Sequence, residues 1–146
     1  MFTTLALDLE GTLISNAMSQ IPRPGLRAFL ERCGVLFARV VIYTAVAEPR
    51  FRAIAALLVS EGNAPAWFAG IEYVEWDYTT KDLALIPGIA PGEALLVDDL
   101  PEYVHPGQEA QWVAVESFVA PYPETDRGLI TVTAALEARR VERGGT

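Results

Sequence analysis

A doubly wound, Rossmann-like α/β fold, with a central parallel sheet and helices on both faces, follows from three features of the sequence. Short, fully apolar runs alternate with amphipathic segments, single Gly and Pro residues punctuate the boundaries, and several apolar runs stop at an acidic or hydroxyl side chain. Strands apolar on both sides are those of buried parallel sheets, whose connections need crossover helices. The 146 residues, 51% hydrophobic and 21% charged, suit one domain over 1–146 built on one core. A chain of this size buries roughly 68–70% of its unfolded surface. It therefore needs no disulfide or metal to fold, and any metal would serve chemistry.

Leu5-Ala6-Leu7-Asp8-Leu9 is a buried strand with an acidic tip, broken by Gly11-Thr12. After the loop ending in Pro22-Arg23-Pro24-Gly25, the spacing of Leu26, Phe29 and Leu30 predicts a helix that Gly34 stops. Val40-Val41-Ile42-Tyr43-Thr44 is the second strand, apolar until Thr44. Phe51, Ile54, Ala55 and Leu58 stripe the next helix, which Gly62-Asn63 ends. Trp67-Phe68-Ala69 reads as a third strand, and residues 71–78 as a hairpin arm or edge strand. Ala94 to Val97, ahead of Asp98-Asp99, and Trp112 to Val115 are two more buried strands, and a last helix covers 125–140.

Charge narrows the partners. A net charge of −8 and a pI near 4.6 disfavour nucleic acid and anionic membrane, which both attract a basic face. The first residues lack the layout of a secretory signal, and no apolar run approaches the ~20 residues of a membrane helix. A cytoplasmic location is the expectation. One cysteine, Cys33, excludes an internal disulfide, and one histidine, His105, excludes a multi-histidine zinc site within the chain. Metal binding would fall to carboxylates.

In doubly wound sheets, ligands bind beyond the carboxyl ends of the strands. Asp8 and Glu10 follow the first strand, Thr44 ends the second, and Asp98 and Asp99 end the fourth. Of only six aspartates in the chain, three occupy these tips. Carboxylates at such close quarters repel unless a cation holds them, and a hard, oxygen-seeking ion such as Mg²⁺ suits them. Mg²⁺ shares phosphate readily, and a carboxylate aimed at a phosphoryl group can attack it to give an aspartyl-phosphate. The chain has ten arginines and one lysine, Lys81. An ammonium delivers its charge as a point, where a guanidinium fork needs a wider approach, so Lys81 is the candidate for charge stabilisation.

Asp8-Leu9-Glu10-Gly11-Thr12, the apolar run into Thr44, then Lys81, then the run into Asp98-Asp99 resemble the haloacid dehalogenase superfamily in type and order. Arg23-Pro24-Gly25, Tyr43-Thr44-Ala45, Lys81-Asp82-Leu83 and Val97-Asp98-Asp99-Leu100-Pro101 are similar to the small phosphatases that act on the polymerase C-terminal repeat. The resemblance implies an Asp8 nucleophile, a Glu10 general acid and base, Thr44 on the phosphoryl oxygens, and Lys81 steadying Asp8 and phosphate. It also implies Mg²⁺ on Asp8, Asp98, Asp99 and the Glu10 carbonyl. Position 10 departs from the usual aspartate by one methylene, and the enolase-phosphatase branch also resembles this sequence in using glutamate there. The spacers leave no room for a cap domain, so the site is expected to be open. An open site suits a phosphorylated protein, or a small phosphate ester if a second subunit supplies a roof; monomer and homodimer stay open.

Other readings weigh less. A phosphorelay receiver puts its acid pair first and its lysine last, the reverse of this chain. A phosphate-binding protein without turnover is the serious alternative. Cys33 and Arg39 have the C-x5-R spacing of cysteine phosphatases, but Gly34-Val35-Leu36-Phe37-Ala38 lacks the small residues a phosphate loop needs. Cys33 is expected to be buried at a helix end, His105 to sit in a surface loop, and Trp67, Trp76 and Trp112 to serve core or interface. Arg50 and Arg52 follow Thr44 and are read as helix surface, with the site entrance as the alternative.

Overall fold

The computed structural model describes residues 2–144, with side chains through 140. Five strands form one all-parallel sheet: β1 (Thr4–Leu7), β2 (Arg39–Ile42), β3 (Glu72–Tyr73), β4 (Ala94–Asp98) and β5 (Trp112–Ala114). Their order is β3-β2-β1-β4-β5. The chain winds outward from β1 on one side, then crosses to β4 and winds outward on the other. The reversal lies between β1 and β4, whose register pairs Leu7 with Val97. The next residues are Asp8 and Asp98, so the two carboxylates stand at the switch point, where doubly wound sheets bind ligands.

Side chains alternate across the sheet and divide the core in two. Leu5, Leu7, Ile42, Leu95, Val97 and Val113 face one layer, covered by all three long helices: α1 (Leu26–Leu36), α2 (Glu48–Ser60) and α3 (Gly128–Gly144). Ala6, Val41, Tyr43 and Leu96 face the other, covered by Val74, Trp76, Leu83 and Ile86. That second cover carries short 3-10 turns, Leu83–Leu85 and Pro101–Tyr103, the latter packing through Tyr103. Both faces are thus covered, but the long helices share one of them. Periodicity reveals an amphipathic helix, not the side of the sheet it packs on.

Four assignments differ from expectation. Gly34 does not stop α1 but lies inside it, where the Trp67 indole packs across the missing side chain. Trp67-Phe68-Ala69 is no strand: it belongs to a 3-10 helix, Ala66–Gly70, that turns buried Phe68 edge-on to Phe51 at 5.7 Å. A short apolar run fits a strand or a turn equally well, and here Pro65 at its entry and Gly70 at its end favour the turn. The third strand is β3, an edge strand parallel to β2 within the 71–78 segment, not a hairpin arm. The last helix begins at Gly128, because Asp126 instead turns its carboxylate to accept the Gly128 N–H at 3.0 Å.

No folded insert follows β1 or β2. Residues 8–25 form a tight loop held by Glu10–Ile14 and Ile14–Pro22 bridges, and α2 follows β2 within a few residues. No described helix is long and apolar enough to cross a membrane.

Candidate active site

The ends of β1 and β4 bring the acidic residues together. Asp8, Asp98 and Asp99 each offer one oxygen within 4.8 Å of the others, with Asp8 and Asp98 buried and Asp99 partly so. Three hard carboxylate oxygens that close fit a small divalent cation such as Mg²⁺. Gly11 makes the approach possible. Its φ of +77° is open to glycine, and a Cβ there would stand 2.3 Å from Asp99 Oδ2.

Lys81 completes the cluster from the opposite cover. Its Nζ, wholly buried, donates to Asp8 Oδ1 at 2.8 Å and Asp98 Oδ2 at 2.5 Å. Burial alone would lower its pKa, but Asp8 and Asp98 overcome that and hold the ammonium above its usual range. Burial raises the Asp8 carboxyl well above the usual carboxylate range, against the pull of Lys81 and with the push of Asp98. Asp98 is raised likewise by burial, opposed by Lys81. The rings of Tyr103 and Trp76 lie 4.8 and 5.7 Å from the ammonium.

The remaining lone pairs are assigned. Thr12 Oγ1 donates to Asp8 Oδ2 at 2.8 Å and lies 3.2 Å from Asp99 Oδ1, so its single hydrogen favours Asp8. Ser117 Oγ donates to Asp99 Oδ2 at 2.7 Å, and the Leu100 N–H donates to Asp98 Oδ1 at 2.9 Å. Thr44, buried past the end of β2, accepts the Val46 N–H at its hydroxyl, which leaves its own hydrogen to donate. Glu10 is partly buried, and its Oε2 accepts the Ala17 N–H at 2.8 Å, tying it to the 15–21 loop.

Lys81 is therefore in direct contact with Asp8 and Asp98, Asp99 brings an oxygen within 4.8 Å of theirs, and Thr44 and Glu10 lie on the adjoining loops of the same rim. Arg50 donates to the Ala17 carbonyl at 3.0 Å and so reaches the loop that Glu10 holds. Arg52 turns away to Glu48 and the carbonyls of Ala69 and Ile71. His105 is half-exposed, with Nδ1 2.7 Å from Thr80 Oγ1. Cys33 is buried in α1 with its thiol pushed up to about 12 by burial, and Arg39 starts β2 paired with Glu72. That pair is no phosphate site.

Sequence reasoning missed the frame around these groups. Trp76 Nε1 donates to the Thr44 carbonyl at 2.8 Å and Trp112 Nε1 to the Asp98 carbonyl at 3.0 Å. Arg23, wholly buried, donates to Asp126, to the Glu116 carbonyl, and to the carbonyls of Gly11 and Thr12. It clamps the loop after β1 to the loop after β5. The Pro22-Arg23-Pro24-Gly25 run after the first strand was the available signal for Arg23.

A search of curated proteins returns no match. The family model described as NLI interacting factor-like phosphatase matches residues 3–143, nearly the whole chain, and the chain belongs to that family of haloacid dehalogenase-superfamily phosphatases.

Proposed function

We propose that the chain is a Mg²⁺-dependent phosphomonoester hydrolase of the cytoplasm, working through an aspartyl-phosphate on Asp8 and built as one domain over 1–146. The observation that carries this is the buried Lys81 ammonium seated between Asp8 and Asp98, beside a three-aspartate cluster. One carboxylate oxygen of Asp8 attacks phosphorus as the ester P–O bond breaks. Glu10, whose Oε1 is not the atom that accepts Ala17, protonates the departing alkoxide. Water then attacks phosphorus, Glu10 takes its proton, and the bond to Asp8 breaks. Thr44 and Lys81 hold the phosphoryl oxygens while Thr12 fixes the Asp8 rotamer. Asp8, Asp98, Asp99 and the Glu10 carbonyl would hold Mg²⁺, whose charge screens the carboxylates from the phosphate.

The rim carries no cap, which suits a phosphorylated side chain of a protein more than a small phosphate ester. Hydrolysis of a generic aryl phosphate, with Mg²⁺ and with chelator, tests the reading against an Asp8→Asn control. Metal-dependent turnover that Asp8→Asn abolishes supports it, and equal rates in the two chains would refute it. The engagement of Glu10 with Ala17 favours one second reading, a phosphate binder with weak turnover. Full burst and turnover lost together in Glu10→Gln, with phosphate binding kept, would remove that alternative.

A further inference from the structure

Trp76 contacts both residues assigned to the phosphoryl oxygens, Thr44 through its backbone carbonyl and Lys81 through its ammonium. Its Nε1 donates to the Thr44 carbonyl, and its ring lies 5.7 Å from Lys81 Nζ. The indole is itself immobilised, edge-on to Tyr43 at 5.4 Å and to Tyr103 at 5.5 Å. It is 8% exposed, so its N–H has been withdrawn from water and depends on that carbonyl. The two groups it joins arrive independently: Thr44 follows β2, whereas Lys81 lies in the irregular cover beyond β3, with its backbone N–H on the Tyr103 carbonyl.

We propose that Trp76 is a positioning residue that sets the Thr44 hydroxyl and the Lys81 ammonium at the spacing one phosphoryl group requires. Its contact with Thr44 is to the backbone carbonyl, so it acts on the hydroxyl through the Thr44 backbone. The inference rests on the phosphoryl chemistry proposed above. Trp76→Phe keeps one aromatic ring in the cover and removes the indole N–H together with part of the ring system, leaving the Thr44 carbonyl without its donor.

The test is a double-mutant cycle on aryl phosphate hydrolysis with Mg²⁺. Trp76→Phe should lower kcat about tenfold, equivalent to about 1.4 kcal/mol, with KM within about twofold. On a Thr44→Val background the same substitution should cost less than about twofold, because the hydroxyl it positions is gone. A tenfold cost on both backgrounds would overturn the inference and leave the phosphatase reading intact. A wild-type chain with no turnover would overturn both. A second measurement needs no variant at position 76. In protein labelled with 5-fluorotryptophan, the Trp76 ¹⁹F resonance is the one that neither Trp67→Phe nor Trp112→Phe removes. It should shift when Mg²⁺ and beryllofluoride are added, and a resonance that stays in place would count as refutation.

Discussion

Replacing Lys81 with methionine removes the positive charge but keeps most of the apolar stem. The ammonium is wholly buried and donates to two carboxylates, so its loss leaves Asp8 and Asp98 facing each other, with Asp99 alongside. Removing one partner of a buried charged group costs about 3–5 kcal/mol. At this chain length each kcal/mol moves the melting point by roughly 2–4 °C, so Lys81→Met should melt roughly 6–20 °C lower at neutral pH without metal. The deficit must depend on pH. Asp8 and Asp98 already have folded pKa values raised by burial, and Lys81 is the group that pulls them down. Without it they rise further. A carboxylate whose folded pKa exceeds its unfolded value near 3.8 favours the fold when protonated and penalises it as pH climbs through the folded value. The variant's deficit should therefore shrink toward acid and widen toward neutral pH, and millimolar Mg²⁺ should restore part of it by binding the folded state alone. Calorimetric or fluorescence-monitored melting from pH 4.5 to 8, with Mg²⁺ and with chelator, measures all three effects. If Lys81→Met matched the wild type at neutral pH without metal, the ion triad would contribute nothing and the electrostatic argument would fail.

Gly11→Ala should displace Asp99, because the new Cβ would lie 2.3 Å from its Oδ2 in a backbone with φ of +77°. A strained backbone of this kind costs about 1–3 kcal/mol. Isothermal titration should show weaker Mg²⁺ binding than wild type, and unchanged affinity would mean that Asp99 is no ligand. Cys33, with its thiol pushed up to about 12, should resist iodoacetamide at pH 8 in the folded chain and react promptly in denaturant. Mass spectrometry reads the alkylated fraction, and rapid labelling under native conditions would contradict the burial.

The strand-end aspartates were legible in the sequence because an abrupt change from apolar to acidic marks the place where a buried strand leaves the core. Lys81 was legible for a different reason, being the single lysine among ten arginines. Trp67 was misread, since a run of three apolar residues carries no period and only the flanking Pro65 and Gly70 bear on its form. The supports of the site were invisible for a more general reason. Trp76, Trp112 and Arg23 act on backbone carbonyls, and every residue has one, so no partner type appears in the sequence to suggest the pairing. The ion pair between Arg23 and Asp126 spans 103 residues and depends on α1 and α3 meeting across one face of the sheet, which periodicity alone does not specify.

The uneven cover of the sheet follows from where the lysine has to be. A buried ammonium between two carboxylates is tolerable only if its stem is fixed from several sides, because any drift leaves charges unpaired in a dry site. A regular helix could supply its own hydrogen bonds, but it would keep the Lys81 backbone from bonding its neighbours. The irregular segment does bond them. The Lys81 N–H donates to the Tyr103 carbonyl, the Tyr43 hydroxyl donates to the Asp82 carbonyl, and Gln108 donates to the Asp82 carboxylate. Residues 81 and 82 are thereby pinned to β2 on one side and to the chain beyond β4 on the other. The long helices cover the opposite face, and the face that holds the lysine is built from turns, which leave its backbone free to be held.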